Sequence, residues 1–131
     1  MRELNVGPIT GFPDPGRKVV AVDGIEIGVF YIKGKFSAYR NICPHLGGPV
    51  CQGKIMPRVE EDLTADRKSR GLVFSKAKTN IVCPWHGYEF DIETGCHQGN
   101  PRLRLRALEV RISAGQVFVL VPDRVRQPEI A

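Results

Sequence analysis

Two short stretches of the 131-residue chain hold the residue types that do chemistry. "CPWHGYEF", residues 83–90, places Cys83 and His86 either side of the only tryptophan, Trp85, and "CPHLGGPV", residues 43–50, places Cys43 and His45 one residue apart. Thiolate and imidazole are soft or borderline donors. One Cys-x-His and one Cys-x-x-His on separate loops supply four of them, enough to close a tetrahedral zinc site or to hold an iron–sulfur cluster in which each iron takes two protein ligands. Spacing alone leaves both open. Each pair contains a turn-forming proline (Pro44, Pro84), and "LGGP" offers glycines where backbone N–H groups can approach sulfides closely.

The remaining candidates are weaker. Cys51 and Cys96 lie outside the two pairs and read as small packed thiols, with a disulfide between them as the alternative. His97, in a turn-rich stretch, reads as a solvated surface residue, with gating or proton transfer as the alternative. The N-terminus "MRELNVGPITGFPDPG" has no apolar core of the kind a secretory signal carries, so a cytoplasmic protein is expected, and four cysteines in a reducing compartment favour ligands or packed thiols over a disulfide framework. Near the end "VFVLV", residues 117–121, falls far short of the roughly 20 apolar residues of a membrane helix, so no membrane association is expected.

A net charge of +5 sits in the flanks: residues 1–42 carry 6 basic and 4 acidic groups, 43–101 carry 7 and 7, and 102–131 carry 6 and 3. "RLRLR" is basic but lacks aromatic interleaving, and a solvated strand face accounts for its alternation, so no nucleic-acid partner is expected. Length and composition fit one domain, residues 1–131, with a real core.

The elements that must position the two pairs read as β. "KVVAVDGIEIGVFYIKGKFSAYRNI" is a meander of β-branched and aromatic runs turning at "VDGI" (22–25) and "IKGK" (32–35). "NIVC" leads into the second pair, "YEFDIETG" is a short strand ending near Gly95, and "SAGQ" turns into a last strand, "VFVLVP". In "RLRLRALEVRI" the apolar phase switches at Ala107, which predicts a bulge or bend. Residues 54–80 are read as a polar surface excursion, with "EEDLTADRKSR" the one place for a short helical turn. The fold class is mostly β, a small antiparallel sandwich or barrel with a two-loop binding subdomain around residues 43–86.

"CPHLGGP" and "CPWHG" resemble the two loops of Rieske [2Fe–2S] proteins, and "PDPGRKVVAVDG", "YRNICPHLGGPVCQGK", "VCPWHGYEFDIETG" and "LEVRISAGQVFVLV" follow in the order of a soluble Rieske ferredoxin. The resemblance implies one [2Fe–2S] cluster per chain, with Cys43 and Cys83 on the buried iron and His45 and His86 on the outer one. It also marks a departure. Between His45 and Cys83 lie 37 residues, about 20 more than the family pattern, and the excess falls in the 54–80 excursion, where loop-closure cost grows slowly with length.

Histidine ligation makes the oxidised cluster less negative than four thiolates would, which raises the potential. High-potential respiratory members add a Ser and a Tyr donor near the second loop and a disulfide between the loops; the matching positions here are Tyr88 and Phe90, and Gly48 and Trp85. A potential toward the lower end of the family's roughly −150 to +300 mV range is therefore expected. Trp85 and Leu46 are expected to shield the cluster.

Three histidines, two of them ligands, leave too few for the two-His-one-carboxylate iron of a terminal oxygenase. The resemblance therefore implies a one-electron carrier without catalytic turnover, a monomer passing electrons from a flavoprotein reductase to a terminal oxygenase. The alternative is a resident subunit of a larger reductase complex, similar to nitrite reductase small subunits. The basic flanks suggest an acidic docking surface on the partner.

Overall fold

The dipeptides Asp23-Gly24, Lys33-Gly34 and Ala114-Gly115 all adopt positive φ, 51° and 78°, 51° and 76°, and 51° and 75°. That is the backbone of the tight turn whose twist matches paired antiparallel strands, and each joins two of them. The computed structural model describes residues 2–44, 47–63, 69–85 and 87–122, with the backbone alone at 59–63, 69–74, 76 and 77. Its strands are β1 (Arg2–Pro8), β2 (Gly16–Val22), β3 (Ile25–Ile32), β4 (Lys35–Arg40), β5 (Lys54–Leu63), β6 (Ser69–Val82), β7 (Glu89–Asp91), β8 (Ala107–Leu108), β9 (Val110–Ser113) and β10 (Gln116–Val121). All pairings between them are antiparallel, and the mostly β class read from the sequence is the one found. No helix among the described residues is long and apolar enough to cross a membrane.

The chain divides into two compact units. The first, residues 1–41 with 106–131, holds two sheets with strand orders β1-β10-β9 and β2-β3-β4-β8. Alternate residues of β3 (Ile27, Val29) and β10 (Val117, Val119, Val121) enter one buried cluster with Val6, Phe12 and Ala38, as the two-residue period of a strand requires. The phase switch at Ala107 marks a change of sheet. β8 pairs with β4, β9 pairs with β10, and the intervening Glu109 carbonyl accepts the Leu120 N–H at 2.9 Å.

The second unit, residues 42–105, is built on the three-stranded sheet β5-β6-β7. Here the helical turn expected in "EEDLTADRKSR" is replaced by strand at Glu60–Leu63 and from Ser69 onward, residues 64–68 lying outside the described part. β5 and β6 form one long hairpin from Lys54↔Val82 to Leu63↔Ser69, with register shifts between Pro57 and Val59 and between Glu61 and Leu63. The reason lies in the partner strand: "LVF" and "NIV" in β6 have high β propensity, and a ladder satisfies the backbone groups of the polar β5 segment that a lone helical turn would leave exposed. Pro57, without an N–H, is tolerated because β5 is an edge strand.

Candidate metal centre

Both cysteine loops close in the same way. In the first, the Cys43 N–H donates to the Gly48 carbonyl at 2.7 Å and the Gly47 N–H donates to the Cys43 carbonyl at 2.8 Å. In the second, the Cys83 N–H donates to the Tyr88 carbonyl at 2.8 Å and the Gly87 N–H to the Cys83 carbonyl at 2.9 Å. The fourth residue after each cysteine is a glycine at positive φ, 81° at Gly47 and 71° at Gly87, with nothing within 4 Å of where a Cβ would stand. These two glycines answer a conformational need rather than a lack of space. The repeat C-P-x-x-G is thus one loop design used twice, with His45 at the third position of one loop and His86 at the fourth of the other.

Cys43 and Cys83 are 2% and 1% exposed. The second loop lies against the first at Gly48, where an added Cβ would stand 3.0 Å from the Cys83 Sγ and 2.9 Å from Cγ and Cδ2 of the Trp85 indole. Two thiols from like-folded loops are thereby buried where those loops meet. His45, His86 and Leu46 lie outside the described residues. Trp85 packs against Gly48 yet stays 57% exposed, so any shielding it gives is partial.

Behind the second loop stands a polar network whose members are far apart in the chain. Asn80, fully buried on β6, donates from Nδ2 to Gln98 Oε1 at 2.6 Å and Glu89 Oε1 at 3.2 Å, and its Oδ1 accepts from Arg58 Nε at 3.2 Å. Arg58 Nη2 also donates to Asp91 Oδ2 at 3.1 Å, while Asp91 Oδ1 accepts the backbone N–H of Glu93 at 2.8 Å and of Thr94 at 3.1 Å. Arg58 and Asp91 are 33 residues apart, and only the long hairpin brings them together. The network fixes β7, and β7 directly follows the Tyr88 carbonyl that closes the second loop.

His97 departs from its expected place on the solvated surface. It is half-buried, its ring centroid 4.9 Å from Tyr88 and 5.5 Å from Phe90, and its Nδ1 accepts the N–H groups of Gly99 at 3.1 Å and Asn100 at 2.9 Å. Nδ1 must be unprotonated to accept them. Cys51 is a fully buried thiol and Cys96 a half-buried one, the packed state expected of both. Phe90 is fully buried and, as phenylalanine, donates no hydrogen bond.

A family model described as Rieske [2Fe–2S] domain matches residues 4–109. Human apoptosis-inducing factor 3 is 32% identical over 109 residues, 79% of this chain, and the match spans 14% of that protein's length. Among solved structures, a nitrite reductase small subunit from Mycobacterium tuberculosis superposes with a TM-score of 0.67 at 16% identity, over 90% of this chain and 93% of that one. The ferredoxin of carbazole 1,9a-dioxygenase from Nocardioides aromaticivorans does so with a TM-score of 0.62 at 21% identity, over 91% and 97%. Both structures share the fold.

Proposed function

The chain belongs to the Rieske [2Fe–2S] domain family, and from that premise we propose that it is a one-electron carrier whose cluster is held by Cys43, Cys83, His45 and His86. The observation that carries the reading is the pair of loops itself: two buried cysteines at matching positions of two identically closed turns, meeting at a glycine. The described residues fit the cofactor chemically. Soft thiols stand where solvent is excluded, and Gly48 leaves room beside the Cys83 sulfur that any larger residue would fill. When bound, the cluster takes up and releases one electron at a time.

The protein's own part is to place and tune the ligands. The buried thiols of Cys43 and Cys83 would hold one iron, and His45 and His86 would hold the other, through which an electron would pass to and from a partner. Phe90 contributes no hydrogen bond, which keeps the potential toward the low end of the roughly −150 to +300 mV Rieske range.

The physiological route we propose runs from a flavoprotein reductase to a terminal, ring-hydroxylating oxygenase, in the cytoplasm, with the carrier itself turning over no organic substrate. Likeness to the ferredoxin of a dioxygenase supports it. Likeness to a nitrite reductase small subunit supports a second reading, residence in a larger reductase complex. Purification from its own cells separates them. A monomer reduced rapidly by an added NADH-dependent flavoprotein reductase supports the carrier, and stoichiometric co-purification with a large redox subunit supports the resident.

A further inference from the structure

We propose that Trp85 and Gly48 form a noncovalent clamp that holds the two ligand loops together, making Trp85 a positioning residue for the cluster; this rests on the cluster assignment above. Gly48 is buried, and its carbonyl accepts two N–H groups, from Cys43 at 2.7 Å and Val50 at 2.9 Å. The backbone at Gly48 therefore cannot shift without opening the first loop. Against it lies the indole, with Cγ and Cδ2 both 2.9 Å from the position of an absent Cβ.

Carbon atoms at rest lie about 3.5–4.0 Å apart, so a methyl group at Gly48 overlaps the ring. The neighbouring Cys83 Sγ, 3.0 Å from the same point, blocks escape on that side. Gly48 does not have the positive φ of Gly47 and Gly87, so alanine meets no backbone penalty there; Gly48→Ala reads the crowding against the indole and the Cys83 sulfur together, and the double variant, which lacks the ring, separates the two. The clamp also accounts for an unusual placement. A tryptophan 57% exposed has no core to fill, yet its Cγ and Cδ2 are fitted to a glycine of the opposite loop. Trp85 sits two residues from Cys83 and beside His86, so a force on the indole acts on both ligands of its loop.

The test uses the cluster-loaded protein and the variants Gly48→Ala, Trp85→Ala, Trp85→Phe and the double Gly48→Ala/Trp85→Ala. Cluster release is followed as bleaching of visible absorption under excess iron chelator, alongside the spin resonance of the reduced form and thermal unfolding. Because Trp85 is more than half exposed, its replacement leaves the fold standing. The clamp predicts that Gly48→Ala and Trp85→Ala each release the cluster about tenfold faster, corresponding to 1.4 kcal/mol, and shift the g-values. It further predicts that Trp85→Phe recovers part of the loss and that the double variant is little worse than Trp85→Ala, since a shared contact is lost only once. In Gly48→Ala the emission of the single tryptophan shifts to the red as the ring is pushed into water.

Variants that keep the wild-type release rate and spectrum overturn the clamp and leave the carrier reading intact. So does faster release that merely follows lost thermal stability, or strict additivity in the double variant. A wild-type protein that binds no iron–sulfur cluster overturns both.

Discussion

Arg58→Met removes the cation that ties the long hairpin to the strand behind the second cysteine loop. The arginine makes one charge-assisted bond, to Asp91 at 3.1 Å, and one bond to a neutral acceptor, Asn80 at 3.2 Å. Bonds of these kinds contribute about 1.5–3 and about 0.5–1.5 kcal/mol. The two side chains of the ion pair are 15% and 12% exposed, so solvent screens them only in part. Asp91 keeps the Glu93 and Thr94 N–H groups after the change, which limits the cost of leaving its carboxylate behind. The net expectation is a loss of about 2–3 kcal/mol, read as a lower urea midpoint at unchanged slope. In a cycle with Asp91→Asn the two changes should fall short of additivity by about 1 kcal/mol, the coupling of a direct contact. Arg58→Met within about 0.5 kcal/mol of the parent, the range of an ordinary surface change, would refute the network as a brace.

Three further outcomes are expected. At Gly53 an added Cβ would stand 1.7 Å from the Val82 carbonyl oxygen, a backbone atom that cannot swing aside, so Gly53→Ala should yield little folded protein; wild-type yield and melting temperature would contradict this. Phe90→Tyr places a hydroxyl at the position matching the tyrosine donor of high-potential relatives, and protein-film voltammetry should show the midpoint moving upward; a downward or absent shift refutes the reason given for a low potential. His97→Ala deprives the Gly99 and Asn100 N–H groups of their acceptor and should raise their hydrogen exchange while costing about 1–2 kcal/mol; unchanged exchange at both amides would count against the cap.

What the sequence revealed follows from how local each signal is. Asp23-Gly24, Lys33-Gly34 and Ala114-Gly115 are turn chemistry contained in two residues, and each turn formed where its dipeptide stands. The cysteine loops are likewise local, closed by bonds spanning five residues or fewer. β1 carries little strand signal, because "RELNVGP" offers only Leu4 and Val6 in alternation and its pairing with β10 lies more than 100 residues away. The hairpin of β5 and β6 reads in the sequence as an excursion because its polarity suits a surface loop, whereas its ladder depends on register between segments that reveal nothing singly. Arg58, Asn80 and Gln98 carried no signal at all, being ordinary polar residues made into a network by that register. The half-buried place of His97 is hidden for a related reason: its aromatic partners, Tyr88 and Phe90, precede it by a turn that must fold first.

The central claim is that the two loops hold a cluster with mixed cysteine and histidine ligation. Visible absorption and low-temperature electron spin resonance of the protein purified with its metal, before and after dithionite, test it most directly. Such a cluster makes the protein reddish, silent when oxidised, with a reduced form that shows the rhombic signal and low average g of a [2Fe–2S] cluster with histidine on one iron, weakened or altered in His45→Cys and His86→Cys. A colourless protein carrying one zinc ion per chain would contradict it and leave two loops held together by a structural metal.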